Sequence, residues 1–497
     1  MDRLHPERLH ALPQSVARPR YDRAALRGGI VHLGIGAFMR AHLAVANEAA
    51  LHASGDLRWG LVGVSLRQPD TRDALAPQQG LYTLAIRDAG PDGAPRQRQQ
   101  VIGGVRELLV APEDPRAVLE RIAHPDARIV SLTVTEKGYC HDPATGALRL
   151  DHPDIVHDLA QADAPKSAIG FIVRGLALRR ARGLGALTLM SLDNLPSNGA
   201  LLQAAVLAFA QAADPALADW IATGCTFPNS MVDRIVPRTT DVDRDTVAKA
   251  LGQHDAWPVL GEPFFDWAIE DRFAADRPAW AAGGARFVDE AAPWERLKLR
   301  MVNGTHSSIA YLGAMAGWRT VDVAIAKEPL RRHIDALMRE EIEPTLPALP
   351  GLDLATYRAS LLARYANPAL AHRTHQIAMD GSQKLPQRLL GTVRDRLAAD
   401  APITRLALSI AAWLHYLRGR DENGETYAID DPLAAPLARL VGQAEALPDD
   451  IRRARLLTGF VPVFGDLAGH ESLVAVLARQ LHSLRERGVA ATLEAIR

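Results

Sequence analysis

Apolar positions along this chain follow two rhythms. In the first half, short and nearly continuous apolar runs at residues 29–33, 59–66, 128–135 and 186–191 are each closed by glycine or polar residues, which predicts buried strands of a parallel sheet. The first run enters Gly34-Ile-Gly36, after which the pattern turns helical through Ala50. In the second half, residues 327–342, 394–418 and 472–489 repeat apolar side chains at helical spacing with charged faces between them, and no strand alternation accompanies them. Asp421-Glu-Asn-Gly-Glu reads as a surface turn. The expectation is an α/β first half followed by a mostly α-helical second half.

Composition narrows the function classes. A chain of 497 residues exceeds the usual single core, so two domains are expected. Lys and Arg total 57 against 58 Asp and Glu, and the charges are interspersed, which leaves no basic stripe for nucleic acid or anionic lipid. The partner is therefore expected to be a small molecule. Cys140 and Cys225 are too few for a disulfide framework or a Cys-rich zinc site, and they fit a reducing cytoplasm. The opening residues hold no apolar signal core, and no run reaches the ~18 apolar residues of a membrane span. A soluble, cytoplasmic protein is the expectation.

The glycine turn carries the first candidate chemistry. Gly34 permits a tight turn, and Gly36 lets the backbone approach a pyrophosphate whose charge would sit at the following helix N-terminus. Met39 stands where the common dinucleotide fingerprint has its third glycine, and a structural turn after a strand fits the same letters. The second strand ends where an acidic residue usually holds the adenosine ribose, but Arg67 and Gln68 come first there. Asp70 can reach back to a ribose hydroxyl and Arg67 can instead take a 2′-phosphate, so NAD and NADP both stay open, with NAD preferred. Glu136 and Asn194 follow the third and fourth strands, on the carboxyl-end loops that form the ligand crevice of an open parallel sheet. An Asn before Leu-Pro is also an ordinary turn former.

The second candidate is Lys298-Leu-Arg-Met-Val-Asn303-Gly-Thr-His306. At about 100° per residue in an α-helix, Lys298, Asn303 and His306 project within a sector of roughly 140°. Their apolar flanks, among them Leu297, Met301, Val302 and Ile309, would bury the helix and lower the lysine's pKa toward neutrality. A neutral amine can take the proton of an alcohol while hydride leaves the carbinol carbon, so Lys298 is the candidate general base. A surface lysine with a packing Asn and a hydrogen-bonded core His fits the same spacing.

Other dehydrogenase designs are absent from the letters. No tyrosine is followed four residues later by lysine, no His-Glu-x-x-His occurs, and neither cysteine has zinc-ligand spacing. His152, Asp154, His157 and Asp158 cluster, as do His372 and His375, but both groups sit in polar segments and no metal is expected.

Six motifs in order now resemble one family across nearly the whole chain. They are Gly34-x-Gly36-Ala-Phe38-x-Arg40-Ala-His42, Thr133-Val-Thr-Glu136-Lys-Gly-Tyr139, Ser191-Leu-Asp-Asn194-Leu-Pro, Phe227-Pro-Asn-Ser-Met-Val-Asp233-Arg-Ile-Val-Pro237, Lys298 to His306, and Met379-Asp-Gly-Ser-Gln-Lys384. The chain resembles the polyol-specific long-chain dehydrogenases/reductases, which include mannitol 2-dehydrogenases, D-arabinitol dehydrogenases and fructuronate reductases (D-mannonate oxidoreductases). Met39 departs from the family's usual His after Phe. The resemblance implies a Rossmann-type dinucleotide-binding domain over residues 1–290 and a helical catalytic domain over 291–497. It also implies metal-free hydride transfer in which Lys298 is the general acid/base, Asn194 and Asn303 form an oxyanion hole, and His306 orients substrate. Glu136 would gate proton exchange with solvent and Asp233 would contact substrate hydroxyls. Gly34, Gly36, Phe38, Arg40 and Asp70 are the expected cofactor contacts, and family members are often monomers.

The substrate is expected to be a sugar acid or a polyol. A carboxylate needs a cation, and residues 371–388 supply Arg373, whose planar fork suits a carboxylate, and Lys384, which the family shares. D-mannonate/D-fructuronate is the preferred pair, with D-mannitol/D-fructose or D-arabinitol as the alternative. A silent sugar or nucleotide sensor and an oxidative decarboxylase are the readings from other classes.

Overall fold

A computed structural model describes residues 1–89, 94–142 and 145–496. It forms two compact units, Met1–Ala292 and Pro293–Arg497.

Among the described residues eleven strands lie in the first unit: β1 Ile30–Leu33, β2 Leu61–Ser65, β3 Tyr82–Ala89, β4 Pro95–Ile102, β5 Val105–Val110, β6 Ile129–Leu132, β7 Thr188–Ser191, β8 Ser230–Asp233, β9 Val259–Gly261, β10 Asp266–Glu270 and β11 Ala285–Val288. The main sheet has the order β5-β2-β1-β6-β7, with every pair parallel. Alternate residues supply its two faces. Val31, Leu33, Val62, Val64, Val130 and Leu132 pack with helices Pro115–Ile122, Ala168–Ala181 and Asn198–Ala213. Ile30, Leu61, Ile129 and Met190 pack on the other side with helix Leu43–Ser54 and with Trp267 and Trp280. Burial of both faces is why the strands read as continuous apolar runs rather than as alternation. The chain leaves β1 toward β2 and β5 on one side and returns to β6 and β7 on the other, so the order reverses between β1 and β6. A crevice is expected outside the carboxyl ends of those two strands. Two small mixed sheets, β11-β10-β8 and β4-β3-β9, complete the unit.

The second unit is helical among its described residues. Helix Thr305–Met315 is buried at every position but His306, and helix Thr404–Tyr416 from Arg405 onward. Several expected helices are interrupted, each for a local reason. The helix expected to run from the glycine turn through Ala50 breaks at His42, whose φ of −122° and ψ of −86° separate Ala37–Ala41 from Leu43–Ser54. The helix expected over 394–418 divides into Gly391–Ala398 and Thr404–Tyr416, with Asp400 left-handed at φ 49° and Pro402 disfavouring helix at the residue before it. The last helix, Glu471–Ala495, turns at Gly488 (φ 75°), where the Glu422 carboxylate accepts the Val489 N–H at 2.6 Å.

His333 lies 1% exposed in helix Glu328–Ala336, and among the described residues neither ring nitrogen has a hydrogen-bond partner. Burial pushes its pKa from 6.5 down to about 3. The folded state keeps this ring neutral while the unfolded chain protonates it below pH 6.5, so its stabilising contribution is present above that pH and is lost as pH falls toward 3. Thermal melts of His333→Leu between pH 7 and pH 4 are expected to decline less steeply than those of the parent. An identical slope would show that the ring protonates within the fold.

Candidate active site

The glycine turn is built around one close approach. Gly34 has φ 98°, and a Cβ there would lie 2.1 Å from the Thr133 carbonyl oxygen, so the position requires glycine. The Thr133 hydroxyl donates to the Gly34 carbonyl at 2.8 Å, and His32 beneath it bridges Ser131 Oγ (2.8 Å) and Thr133 Oγ1 (2.9 Å). Burial drives His32 down to about pKa 3, so the bridge is a neutral imidazole. Gly36 is exposed, and the nearest atom to a Cβ there is 3.9 Å away, which leaves its backbone open to a ligand. A cleft of about 420 Å³ opens at this point. Gly34, Gly36, Ser65, Arg67, Gln68, Thr71, Thr133 and Lys137 are among the residues lining it, at the carboxyl ends of β1, β2 and β6.

Phe38, Arg40 and Asp70 are not among the residues lining this cleft. Arg40 is buried at 1% exposure, donates to the Trp257 carbonyl at 2.7 Å and stacks over the Tyr82 and Trp257 rings. Because the first helix is only five residues long and breaks at His42, Arg40 faces inward and ties down β9. Phe38 stacks on His42 at 4.9 Å. Asp70 is exposed as the first residue of helix Asp70–Leu75, and Arg67, Gln68 and Thr71 form the cleft wall beside it. Met39, the departure from the motif, is fully buried in the core under the turn.

Two side chains that the sequence reading missed hold the neighbouring loops. The Asp193 carboxylate, 8% exposed, accepts the N–H groups of Val134 (3.0 Å) and Thr135 (2.9 Å) and the Tyr139 hydroxyl (2.9 Å). Burial outweighs these donors and raises its pKa. The bonds fix Thr135 at φ 63° and present Glu136, exposed, at the start of the turn Glu136–Tyr139. Asn198 donates to the carbonyls of Asp193 (3.0 Å) and Ser230 (2.8 Å) and accepts the Ser230 N–H (2.9 Å). The loop bearing Asn194, which is exposed, is thereby tied to β8, which ends at the half-buried Asp233. Arg234 beside it is buried and donates to the carbonyls of Ala41 and Glu262. The Asp-Asn-Leu-Pro-Ser-Asn letters carry the signal for both residues, as an Asx-rich turn between strand and helix.

In the second unit Lys298–Gly304 is a π-helix, followed by the α-helix Thr305–Met315. This corrects the expectation of a single α-helix. The i→i+5 winding turns roughly 80–90° per residue, so Lys298 and Asn303 lie about 40–90° apart around the axis, against about 140° in an α-helix. Lys298 is 7% exposed, and Asn303 and His306 are half-buried. The His306 ring stacks on Tyr365 at 5.5 Å and meets the edge of His372 at 5.1 Å. Gly304 is required by proximity, since a Cβ would lie 2.8 Å from the carbonyl oxygen of Arg388 in a second π-helix, Pro386–Leu390. Lys384 is half-buried, donates to the carbonyls of Met379 (2.6 Å) and Ile377 (3.4 Å), and lies 3.6 Å from Asp380. Burial, then Arg388, lowers its pKa. Arg373 is exposed, and its backbone bridges to Thr320.

Cys140, His152 and Asp154 bring three potential ligand atoms within 4.8 Å of one another. His152 Nδ1, however, accepts the Asp154 N–H at 3.2 Å as the cap of helix Pro153–Ala160, where the helix dipole disfavours a cation. Burial also pushes the Cys140 thiol up to about 11. The trio fits a helix cap better than a metal centre.

Residues 28–282 match the mannitol dehydrogenase Rossmann domain and residues 290–485 the mannitol dehydrogenase C-terminal domain. The chain belongs to the mannitol dehydrogenase family. Within it, the chain is 44% identical to D-mannonate oxidoreductase of Escherichia coli over 95% of its length and 96% of that protein. It is 39% identical to a mannitol 2-dehydrogenase of Phaeosphaeria nodorum, over 97% of this chain and 83% of that one. Among solved structures, the Pseudomonas fluorescens mannitol 2-dehydrogenase ternary complex with NAD and D-mannitol matches with a TM-score of 0.81 at 38% identity, over 99% of each chain. A substrate-free D-sorbitol dehydrogenase matches with a TM-score of 0.91 at 34% identity, over 99% of this chain and 100% of that one. No helix among the described residues of this family member is long and apolar enough to cross a membrane.

Asp193→Ala removes an acceptor shared by three donors. It is expected to lower unfolding stability by roughly 2–4 kcal/mol in urea titrations and to speed amide exchange at Val134 and Thr135. Unchanged exchange at those two amides would mean that the carboxylate does not set the loop.

Proposed function

We propose that this protein is a metal-free, NAD(H)-dependent oxidoreductase that interconverts a secondary alcohol and a ketone on a sugar acid or polyol, with D-mannonate and D-fructuronate as the preferred pair. The observation that carries the reading is Lys298, buried in a π-turn one turn from Asn303 and followed by His306. Similarity to D-mannonate oxidoreductase over nearly the whole chain supports the sugar-acid choice.

The open backbone at Gly36, the required glycine at Gly34 and the cleft beside them fit a dinucleotide. When bound, the nicotinamide accepts or supplies the hydride. For oxidation, the amine of Lys298 takes the proton of the substrate hydroxyl as the carbinol C–H bond breaks with its electron pair. Asn194 and Asn303 donate N–H groups to the oxygen on which charge develops, a term of ~3 kcal/mol per donor. His306, held between Tyr365 and His372, orients the same oxygen. Glu136, exposed on a fixed loop, passes the proton to solvent, and Asp233 receives substrate hydroxyls. A carboxylate meets cations in the segment of Arg373 and Lys384, of which Lys384 is half-buried and Arg373 exposed. Full-length likeness to a mannitol 2-dehydrogenase complex favours D-mannitol and D-fructose as the second reading.

The experiment is oxidation of NADH or NADPH, followed by absorbance, with D-fructuronate and D-fructose side by side. Turnover of fructuronate with NADH is the expected result, and preference for fructose would replace the first reading by the second. Lys298→Ala is expected to lower kcat/KM by about 10²- to 10⁴-fold with cofactor binding retained. Asn194→Ala and Asn303→Ala should each cost about 10²- to 10³-fold in kcat. Full turnover in the lysine variant would overturn the general-base assignment.

A further inference from the structure

Widening a helix from α to π displaces backbone hydrogen bonds, and a buried carbonyl left poorly paired is costly. The turn Lys298–Gly304 meets this cost at its carboxyl end. Val302, 3% exposed, has a carbonyl that accepts the Thr305 N–H and lies 3.1 Å from the Tyr365 hydroxyl. The Thr305 hydroxyl lies 2.5 Å from the Met301 carbonyl and 2.7 Å from the Tyr365 hydroxyl. Each hydroxyl has one hydrogen. Thr305 gives its hydrogen to Met301 across the shorter distance, which leaves the Tyr365 hydrogen directed between Thr305 Oγ1 and the Val302 carbonyl. Tyr365 is 4% exposed, so water does not replace it. The same side chain stacks its ring on His306 with an interplanar angle of 16°. It reaches this place as the last residue of helix Leu354–Tyr365, a separate element of the same unit.

We propose that Tyr365 is a positioning residue for the reaction, its hydroxyl holding the π-turn that sets Lys298 against Asn303 and its ring holding the imidazole of His306. The proposal rests on the assignment of Lys298 as general base. Without the hydroxyl the turn relaxes toward α winding, and the lysine and asparagine swing apart by several tens of degrees. The ring alone keeps the core filled. A residue that only packed would tolerate loss of one oxygen atom.

Tyr365→Phe separates these roles, because it keeps the ring and the stack on His306. In the full-length protein, deuterium exchange over residues 301–306 is expected to rise at least about tenfold with the melting midpoint nearly unchanged. With whichever of D-fructuronate and D-fructose the parent reduces, kcat is expected to fall about ten- to a hundredfold. The pH–rate limb that vanishes in Lys298→Ala should move, while KM for NADH changes less than about twofold. Thr305→Val, which removes the partner hydroxyl, should reproduce the exchange and the moved limb. Parental exchange in Tyr365→Phe overturns the proposal, as does a fall in kcat with an unmoved limb, the mark of a merely structural role. An inactive Lys298→Ala beside a fully active Tyr365→Phe would leave the base assignment standing and remove only the tyrosine. Full turnover in Lys298→Ala would remove both.

Discussion

A lysine, an asparagine and a histidine spaced five and three residues apart share one face closely only if the helix that carries them is wound wider than α. The π-turn Lys298–Gly304 is therefore the constraint on which the catalytic reading depends. It is an expensive geometry, and its neighbours are chosen accordingly. Glycine at 304 lets the backbone of Pro386–Leu390 approach where any Cβ would collide. Thr305 turns its hydroxyl back onto the carbonyl of Met301, a bond that in an ordinary helix bends or weakens the ladder and in this one pairs a displaced acceptor. A third π-segment, Leu337–Ile342, is anchored differently, through Glu341, whose carboxylate accepts the N–H groups of Arg405 and Leu406 at 2.8 Å each.

The first unit solves the same kind of problem with loops. Residues after strands must be irregular to bear functional groups, yet fixed to be useful, and irregular backbone leaves N–H groups without partners. One buried carboxylate, Asp193, collects two such N–H groups from the loop after β6, and one buried carboxamide, Asn198, joins the loop after β7 to β8. The glycine turn is held from below by the neutral His32 through Thr133. A charged imidazole there would face two hydroxyls and no carboxylate in a buried site, which is why burial keeps it neutral. Glu136, Asn194 and Asp233 thus stand on loops and a strand end whose geometry other residues determine.

The strands were legible because a sheet covered on both faces leaves unbroken apolar runs, and Gly34 because no other residue fits its φ beside Thr133. That Lys298, Asn303 and His306 share one helical segment was legible from the apolar spacing of their flanks. What spacing hid was the winding, since part of its support comes from Tyr365, 63 residues beyond the carbonyl it meets. The same limit explains Arg40. Its place in the motif put it at the cofactor, but the helix ends one residue later and the guanidinium turns toward the carbonyl of Trp257, 217 residues away in sequence. Asp70 falls after β2 as the exposed first residue of a helix, beside Arg67 and Thr71, which line the cleft. Local letters specify local geometry, and the winding at Lys298 and the direction of Arg40 involve distant parts of the chain.

Charge in the second unit bears on the choice between sugar acid and polyol. Lys384 is held by two carbonyls and the carboxylate of Asp380, and Arg388 nearby donates to Ser307. Burial, and after it this like-charged neighbour, depress the lysine's pKa against the opposing carboxylate of Asp380. Burial depresses the pKa of Arg388 as well. In the proposed sugar-acid reading, a substrate carboxylate would form charge-assisted bonds with these cations, each worth more in a partly desolvated setting than in water. In the two proposed readings, a polyol would be selected by its hydroxyls and a sugar acid by the cations as well. Of the two proposed cations Lys384 is half-buried and Arg373 exposed, so a bond to Lys384 would lie in the drier setting.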